Sequence, residues 1–298
     1  MKNKNYFESK LLKMIESNSM NLDGKYKKLQ NILREMGGVV IGFSGGVDST
    51  LLLKVAADVL HEKALGLVAT SNSFPERELE EAKRLGEQIG ARIRIVQTEE
   101  DSNPQYLDNP VNRCFFCREE LFGKMSDIAK EEGLTFLADG ANVDDTGDYR
   151  PGEAAREKYS VRSPLREAGL HKNEIRTLSR RLGLPTYDKP ALACLATRIP
   201  YGSKITPEKL RMIDLAENYL TDLGFNTVRV RHYDTTARIE LDTHEFSKMM
   251  DETIRKKIVR KLKEIGYIYV TLDLEGFRSG SMNEVLINED GRLTVKQQ

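Results

Sequence analysis

Gly37-Gly38-Val39-Val40-Ile41-Gly42-Phe43, followed at once by Ser44-Gly45-Gly46-Val47-Asp48-Ser49, is the stretch that decides how this chain folds. The first part is short, apolar and β-branched, and reads as a buried strand. Residues 49–61 (STLLLKVAADVLH) read as a helix. Between them lies a turn in which Gly45 and Gly46 let backbone N–H groups approach an anion closely. Gly42 and Phe43 deliver the chain into that turn. Ser44 and Ser49 offer hydroxyl donors, and the following helix offers its positive end. The pattern is not a Walker A loop, which needs Gly-Lys-Ser/Thr at its end. Asp48 is expected to hold Mg²⁺ on the phosphates rather than to touch them. A lone Gly-Gly turn would be an ordinary connection; the full string between strand and helix is far more specific.

Outward from this centre, strands and helices alternate. Residues 1–36 read as helical, 64–70 (ALGLVAT) as a strand, 75–89 as an amphipathic helix and 91–97 (ARIRIVQ) as a strand. A helix is expected from near Cys114 or Cys117 to residue 132, then a strand over 134–139. Such alternation predicts an α/β fold with a doubly wound parallel sheet, its ligands at the carboxyl ends of the strands. The loops after Phe43, Thr70 and Asp139 are therefore the expected site, with Gly140 allowing close approach. Residues 144–160 read as a long polar loop, 171–182 as a helix, and 184–203, with three prolines, as a linker or active-site loop. Residues 207–298 give a helix, strands at 226–231 and 237–241, a helix near 251–265, and strands near Ile268 and Val285. Two domains are expected: 1–190 with the phosphate loop, and a smaller α+β domain over 200–298.

Bulk properties exclude several classes. The chain has 298 residues, 39% apolar and 31% charged. No apolar run approaches the roughly 18 residues of a membrane helix, and the polar start lacks a secretory core, so a cytoplasmic location is expected. Basic and acidic residues number 46 each, and residues 200–298 carry 16 of each sign. That neutrality weighs against a nucleic-acid partner. The run Arg255-Lys256-Lys257 with Arg260, Lys261 and Lys263 reads as the polar face of a helix.

The chain has three cysteines. Asn112-Arg113-Cys114-Phe115-Phe116-Cys117 puts two on one helical turn; Cys194 lies in Ala191-Leu192-Ala193-Cys194-Leu195-Ala196-Thr197-Arg198. An odd count argues against a disulfide framework. Cys-x-x-Cys also suits a zinc half-site, a redox pair or two buried thiols. The histidines (His61, His171, His232, His244) lack ligand spacing. Three thiolates suit a [4Fe–4S] cluster with one iron left without a protein ligand. For anions, Arg198 follows Cys194 closely, and Arg229 and Arg231 share one face of a strand.

The phosphate string resembles the loop of the PP-loop ATP pyrophosphatases, which cleave ATP to AMP and pyrophosphate and pass the AMP to a substrate oxygen. Together, SGGVDS, NRCFFCREELF and ACLATRIPYG resemble the LarE family of sulfur transferases, from about residue 25 to the C-terminus. That resemblance implies adenylation of a carboxylate of a pyridinium-3,5-dicarboxylate mononucleotide, then replacement of AMP by sulfur, in assembly of the nickel-pincer nucleotide of lactate racemase. It implies ATP and Mg²⁺ at Gly42, Phe43, Ser44, Gly45, Gly46, Asp48, Ser49, Thr70 and Gly140. It places substrate phosphate on Arg198, Arg229 and Arg231, with Glu217 nearby, and lets Asp144 or Asp145 reach a metal or ribose. Family members either sacrifice one cysteine or carry three with a [4Fe–4S] cluster. Cys114, Cys117 and Cys194 point to the second kind, fed by sulfide or another sulfur donor, in a homo-oligomer of three or six chains. Two alternatives stand beside it: a cluster-dependent tRNA thiolase of the same class, and a non-catalytic adenine-nucleotide-binding protein with structural zinc.

Overall fold

The structure, a computed structural model, describes residues 21–147, 152–190 and 193–286. In chain order its elements are α1 (residues 21–36), β1 (Val39–Gly42), α2 (Val47–Leu60), β2 (Ala64–Thr70), α3 (Glu76–Gln88), β3 (Arg92–Gln97), α4 (Pro104–Leu107), α5 (Arg113–Glu131) and β4 (Phe136–Ala138). There follow α6 (Gly152–Lys158), α7 (Pro164–Glu167), α8 (Lys172–Arg181), α9 (Pro207–Asp222), β5 (Val228–Tyr233), β6 (Thr236–Leu241), α10 (Phe246–Met250), α11 (Glu252–Ile265) and β7 (Tyr269–Leu272). The helix expected over residues 1–20 lies outside the described residues.

The chain divides into two compact units. The first is drawn from Met1–Ala69, Glu81–Val96 and Leu121–Ala191, the second from Thr70–Glu80, Gln97–Glu120 and Leu192–Gln298. The expected linear boundary near 190–200 is thus one crossing among several. The segments that follow β2 and β3 count with the second unit, because loops leaving the carboxyl ends of strands pack where their side chains find partners.

The sheet of the first unit has the order β3-β2-β1-β4. β1 runs parallel to both neighbours, with Val39 opposite Ala64 on β2 and Phe136 on β4. Val39, Val40 and Ile41 are fully buried, as a strand covered on both faces must be. Leu51, Leu52, Leu53, Val55 and Ala56 bury α2 between this sheet and α8. The chain steps outward from β1 to β3, then returns to the far side of β1 as β4. That reversal creates a crevice at the carboxyl ends of β1 and β4.

Two expectations fail here. Residues 144–160 are not all loop: Val143–Gly147 is a 3₁₀ turn and Gly152–Lys158 is α6. Glu153, Ala154, Ala155, Arg156, Glu157 and Lys158 are good helix formers, hidden in the sequence by the Gly, Asp and Pro residues before them. No strand forms near Val285, which sits in a 3₁₀ segment, Ser281–Leu286, with its side chain exposed.

In the second unit β5 and β6 form an antiparallel hairpin, and β7 pairs parallel to β6. Ala216, Leu220, Val228, Val230, Ile239, Ile258 and Leu262 make one core between this sheet and helices α9 and α11. Since Val228 and Val230 face that core, Arg229 and Arg231 take the opposite face. No helix among the described residues is long and apolar enough to cross a membrane.

Candidate active site

In the first unit, β1 ends at Gly42, and Phe43 N–H still donates to Leu67 O at 2.8 Å. Gly45 takes a φ of 70°, a left-handed value that glycine adopts without strain. The two serines brace the turn: Ser44 N–H donates to Ser49 Oγ at 3.3 Å, and Gly46 N–H donates to Ser44 Oγ at 3.3 Å. Gly46, at the N-cap, offers no side-chain acceptor to the first amides of α2. A Cβ on Gly140 would stand 3.1 Å from Ser49 N and 3.3 Å from Asp48 Cβ. Glycine there lets the β4 loop close against the start of α2.

Asp48, on the first turn of α2, accepts from Asn142 Nδ2 at 3.2 Å and from Lys172 Nζ. The Asp48 carboxylate is an oxygen donor that suits a hard divalent cation, while Asn142 turns its Nδ2 to Asp48 and its Oδ1 accepts from Asp144 N–H at 2.9 Å. Lys189 Nζ lies 3.4 Å from Gly45 O and 2.8 Å from Glu81. Neither lysine was singled out from sequence. Lys172 opens α8, the end at which a helix dipole disfavours cations, and that misplacement was the available signal.

Asp144 and Asp145 serve the local backbone. Asp144 accepts from Lys172 N–H at 2.7 Å and pairs with His171 Nδ1 at 2.6 Å; these contacts hold its carboxyl below the usual range. Asp145 accepts from Asn142 N–H at 2.9 Å. Asp139 accepts from Ser163 Oγ at 2.8 Å and Arg156 Nε at 2.9 Å, which fixes the loop carrying Gly140.

In the second unit, Thr70 closes β2, and its carbonyl accepts from Thr98 N–H at 2.9 Å. The thiols come together there through two segments far apart in sequence. Ile205 N–H donates to Leu107 O at 2.9 Å, and Gly202 N–H to Asn109 O at 3.0 Å. Buried Asn109 donates to Pro200 O at 2.7 Å. These bonds tie the chain around α4 to the chain after Cys194. Cys117 and Cys194 then pack on a core of Tyr106, Leu195, Ala196, Ile199 and Ile213. Cys114 keeps solvent contact within a dense surround. Burial and then Cys194 push the Cys114 thiol up. Burial, Glu100, Cys194 and Cys114 push the Cys117 thiol well up.

The arginines divide by partner. Arg198 is 2% exposed and grips Glu217 with two bonds of 2.9 and 2.8 Å. Its Nη1 donates to Ala193 O at 2.8 Å and Cys194 O at 3.0 Å, so it holds the Cys194 backbone in place. Glu217 also accepts from Val230 N–H at 2.8 Å. Arg231 binds Glu240, which is fully buried, at 2.6 Å and Thr197 O at 3.2 Å. Arg229 differs: its guanidinium lies 5.3 Å from the Phe277 ring, and burial together with Arg198 and Arg231 pulls its pKa down to about 10. Glu217 and Glu240 oppose that shift, and Arg229 Nη1 donates to Val228 O at 2.7 Å. A cavity of about 550 Å³ in the same unit, lined by Glu76, Glu208, Asp214 and Arg211, has the wrong sign for phosphate.

Residues 21–106 match the family model described as NAD synthase. An uncharacterized protein of Synechocystis is 44% identical over 265 residues, 89% of this chain and 99% of that protein. The pyridinium-3,5-bisthiocarboxylic acid mononucleotide synthase of Lactiplantibacillus plantarum is 37% identical over 255 residues, 85% of this chain and 92% of that protein. A glutamine-hydrolyzing GMP synthase component from Thermoplasma acidophilum is 29% identical over 211 residues, 62% of this chain and 64% of that protein. The matched region of the family model contains the glycine turn and Asp48, and the match to the plantarum synthase extends through most of both chains. The chain belongs to the family of that synthase, the LarE family, within the PP-loop ATP pyrophosphatases.

Proposed function

We propose that this protein is an ATP-dependent sulfur transferase that converts a carboxylate of a pyridinium-3,5-dicarboxylate mononucleotide to a thiocarboxylate. The observation that carries the reading is the uncapped start of α2 after Gly45, with Asp48 beside it. A carboxylate oxygen of the substrate attacks the α-phosphorus of ATP and pyrophosphate leaves. Sulfur then adds to the acyl carbon, and AMP departs with the former carboxylate oxygen. The amides of α2, Ser44 and Ser49 cradle the phosphates. Asp48 takes Mg²⁺ once Lys172 releases it, and Arg229 receives the substrate phosphate. Arg198 and Arg231, held by Glu217 and Glu240, shape that pocket.

Cys114, Cys117 and Cys194 form the sulfur site. Three thiols without a histidine at ligand spacing would fit a [4Fe–4S] cluster better than structural zinc, which needs a fourth ligand. Cys114, Cys117 and Cys194 would hold such a cluster, which would supply a site for inorganic sulfide. The neutral C-terminal segment favours a mononucleotide over tRNA. Family membership also supports a homo-oligomer, trimer or hexamer, which light scattering would test.

The deciding experiment incubates protein, ATP, Mg²⁺ and sulfide with the mononucleotide or with tRNA, and weighs the products. One oxygen of the mononucleotide replaced by sulfur is the expected result; sulfur found only on tRNA overturns it. Anaerobically purified protein should be brown, and the colour should vanish in Cys114→Ala, Cys117→Ala or Cys194→Ala. Colourless protein with stoichiometric zinc would refute the cluster.

A further inference from the structure

Arg113 opens α5 beside Cys114 and is 3% exposed. Its Nη1 donates to Asn109 Oδ1 and, at 3.1 Å, to Ala196 O, both uncharged acceptors. Its guanidinium carbon lies 5.7 Å from the Tyr201 ring centroid. Among the described residues no carboxylate lies within ion-pair distance of it. The other deeply buried arginines each have one: Arg198 has Glu217, Arg231 has Glu240 and Arg156 has Asp139. A buried cation without a counter-ion is expensive and is retained only where an anion answers it.

The groups that answer it are sulfur. Arg113 directly precedes Cys114 on α5 and bonds Ala196 O, two residues beyond Cys194, which sets its charge between the segments that carry these two thiols. Those thiols supply compensation only when they carry negative charge. The start of α5, a helix of 19 residues, adds a positive field of the same sense. Against both stands Glu100, 4% exposed, with Oε1 accepting from Ser73 Oγ at 3.3 Å and Oε2 without a hydrogen-bond partner.

We propose that Arg113 is the fixed counter-charge of an anionic sulfur centre, a positioning residue that holds negative sulfur among Cys114, Cys117 and Cys194 without touching the substrate. This deepens the sulfur-transfer reading and rests on it. The anion is a thiolate, hydrosulfide or cluster sulfide; the shared chemistry is negatively charged sulfur at a guanidinium.

The test compares wild type, Arg113→Lys and Arg113→Gln after anaerobic reconstitution with iron and sulfide. Iron content and the cluster reduction midpoint are read together. A three-thiolate cluster gains negative charge on reduction, which a neighbouring cation favours. Arg113→Gln is therefore expected to hold iron but to shift the midpoint to a more negative potential, and Arg113→Lys to shift it less. An unchanged midpoint in Arg113→Gln with full iron overturns the proposal, as does an equal shift in both variants.

If wild type takes up no iron, the cluster reading fails, and the metal-free arm decides Arg113 separately. Alkylation of Cys114 by iodoacetamide at one fixed pH, read by mass spectrometry, should slow roughly tenfold in Arg113→Gln and little in Arg113→Lys. Unchanged alkylation overturns the proposal. Should Arg113→Gln not fold, Arg113→Lys carries the test. It keeps the charge and should retain alkylation within about twofold of wild type, whereas a full loss would show that shape, not charge, is what the site needs.

Discussion

Asp48 has two claimants. Lys172 holds one carboxylate oxygen and Asn142 the other, and in the proposed reaction Mg²⁺ on ATP would compete with them. Asp48→Asn keeps the shape and the Asn142 contact but removes the charge, so pyrophosphate release should fall below detection while the melting curve barely moves. Pyrophosphate release at the wild-type rate in that variant would remove Asp48 from the chemistry. The arginines separate in the same way. Arg229→Gln should raise the KM for the mononucleotide roughly 10- to 100-fold with a smaller effect on kcat, the worth of one or two charge-assisted bonds. Arg198→Gln should instead damage kcat and stability together, because it frees the Cys194 backbone and strands Glu217. If Arg198→Gln raised KM alone, the assignments of the two residues would need exchanging. The sequence pointed to Asp48 because its motif is contiguous. It was silent on Lys172 because their contact spans 124 residues and no local pattern encodes such a pair.

Elements were legible where their periodicity was unambiguous. β1 and β2 announced themselves as short β-branched runs, and α2 as an apolar stretch of helical length. The alternation in β5 told correctly that Arg229 and Arg231 share a face, but not that Arg231 is gripped by the buried carboxylate of Glu240. Sequence spacing fixes direction, whereas the partner of a charged side chain is a tertiary matter. β5 also carries a pH-sensitive element. His232 is 3% exposed, and its Nδ1 lies 3.1 Å from the Tyr267 hydroxyl. Burial and then Lys209 lower its pKa. The neutral ring is therefore the folded form. Its contribution is complete above the unfolded value of about 6.5 and falls as pH drops through it toward the lower folded value. Urea midpoints for the wild type should decline between pH 7.5 and 5, and His232→Gln should decline less over that span. Parallel pH profiles for both proteins would show that His232 is not the sensor. The neighbouring helix tests local capping: Asp251 accepts from Ile254 N–H at 2.9 Å, and Asp251→Ala should cost about 1 kcal/mol.

At the scale of the molecule, the residues proposed for the two half-reactions fall in different units of the chain. The glycine turn, Asp48, Asn142 and Lys172 belong to the first, while Cys114, Cys117, Cys194 and Arg229 belong to the second. Residues 70–80 and 97–120 count with the C-terminal part, a grouping that no local sequence pattern marks. That division has a kinetic consequence. Adenylation needs the phosphate cradle and the bound carboxylate but no sulfur. Cys194→Ala should therefore still exchange labelled pyrophosphate into ATP when the mononucleotide is present, at a rate within a few-fold of wild type, while forming no thiocarboxylate. Asp48→Asn should lose both, because sulfur has no acyl-adenylate to attack. Mixing the two variants should not restore the product if each chain carries out the whole sequence alone. Restoration on mixing would mean that the acyl-adenylate made on one chain reaches the thiols of another. If Cys194→Ala instead lost pyrophosphate exchange while keeping its fold, the thiols would take part in adenylation itself, and the ordered scheme of activation before sulfur transfer would fail.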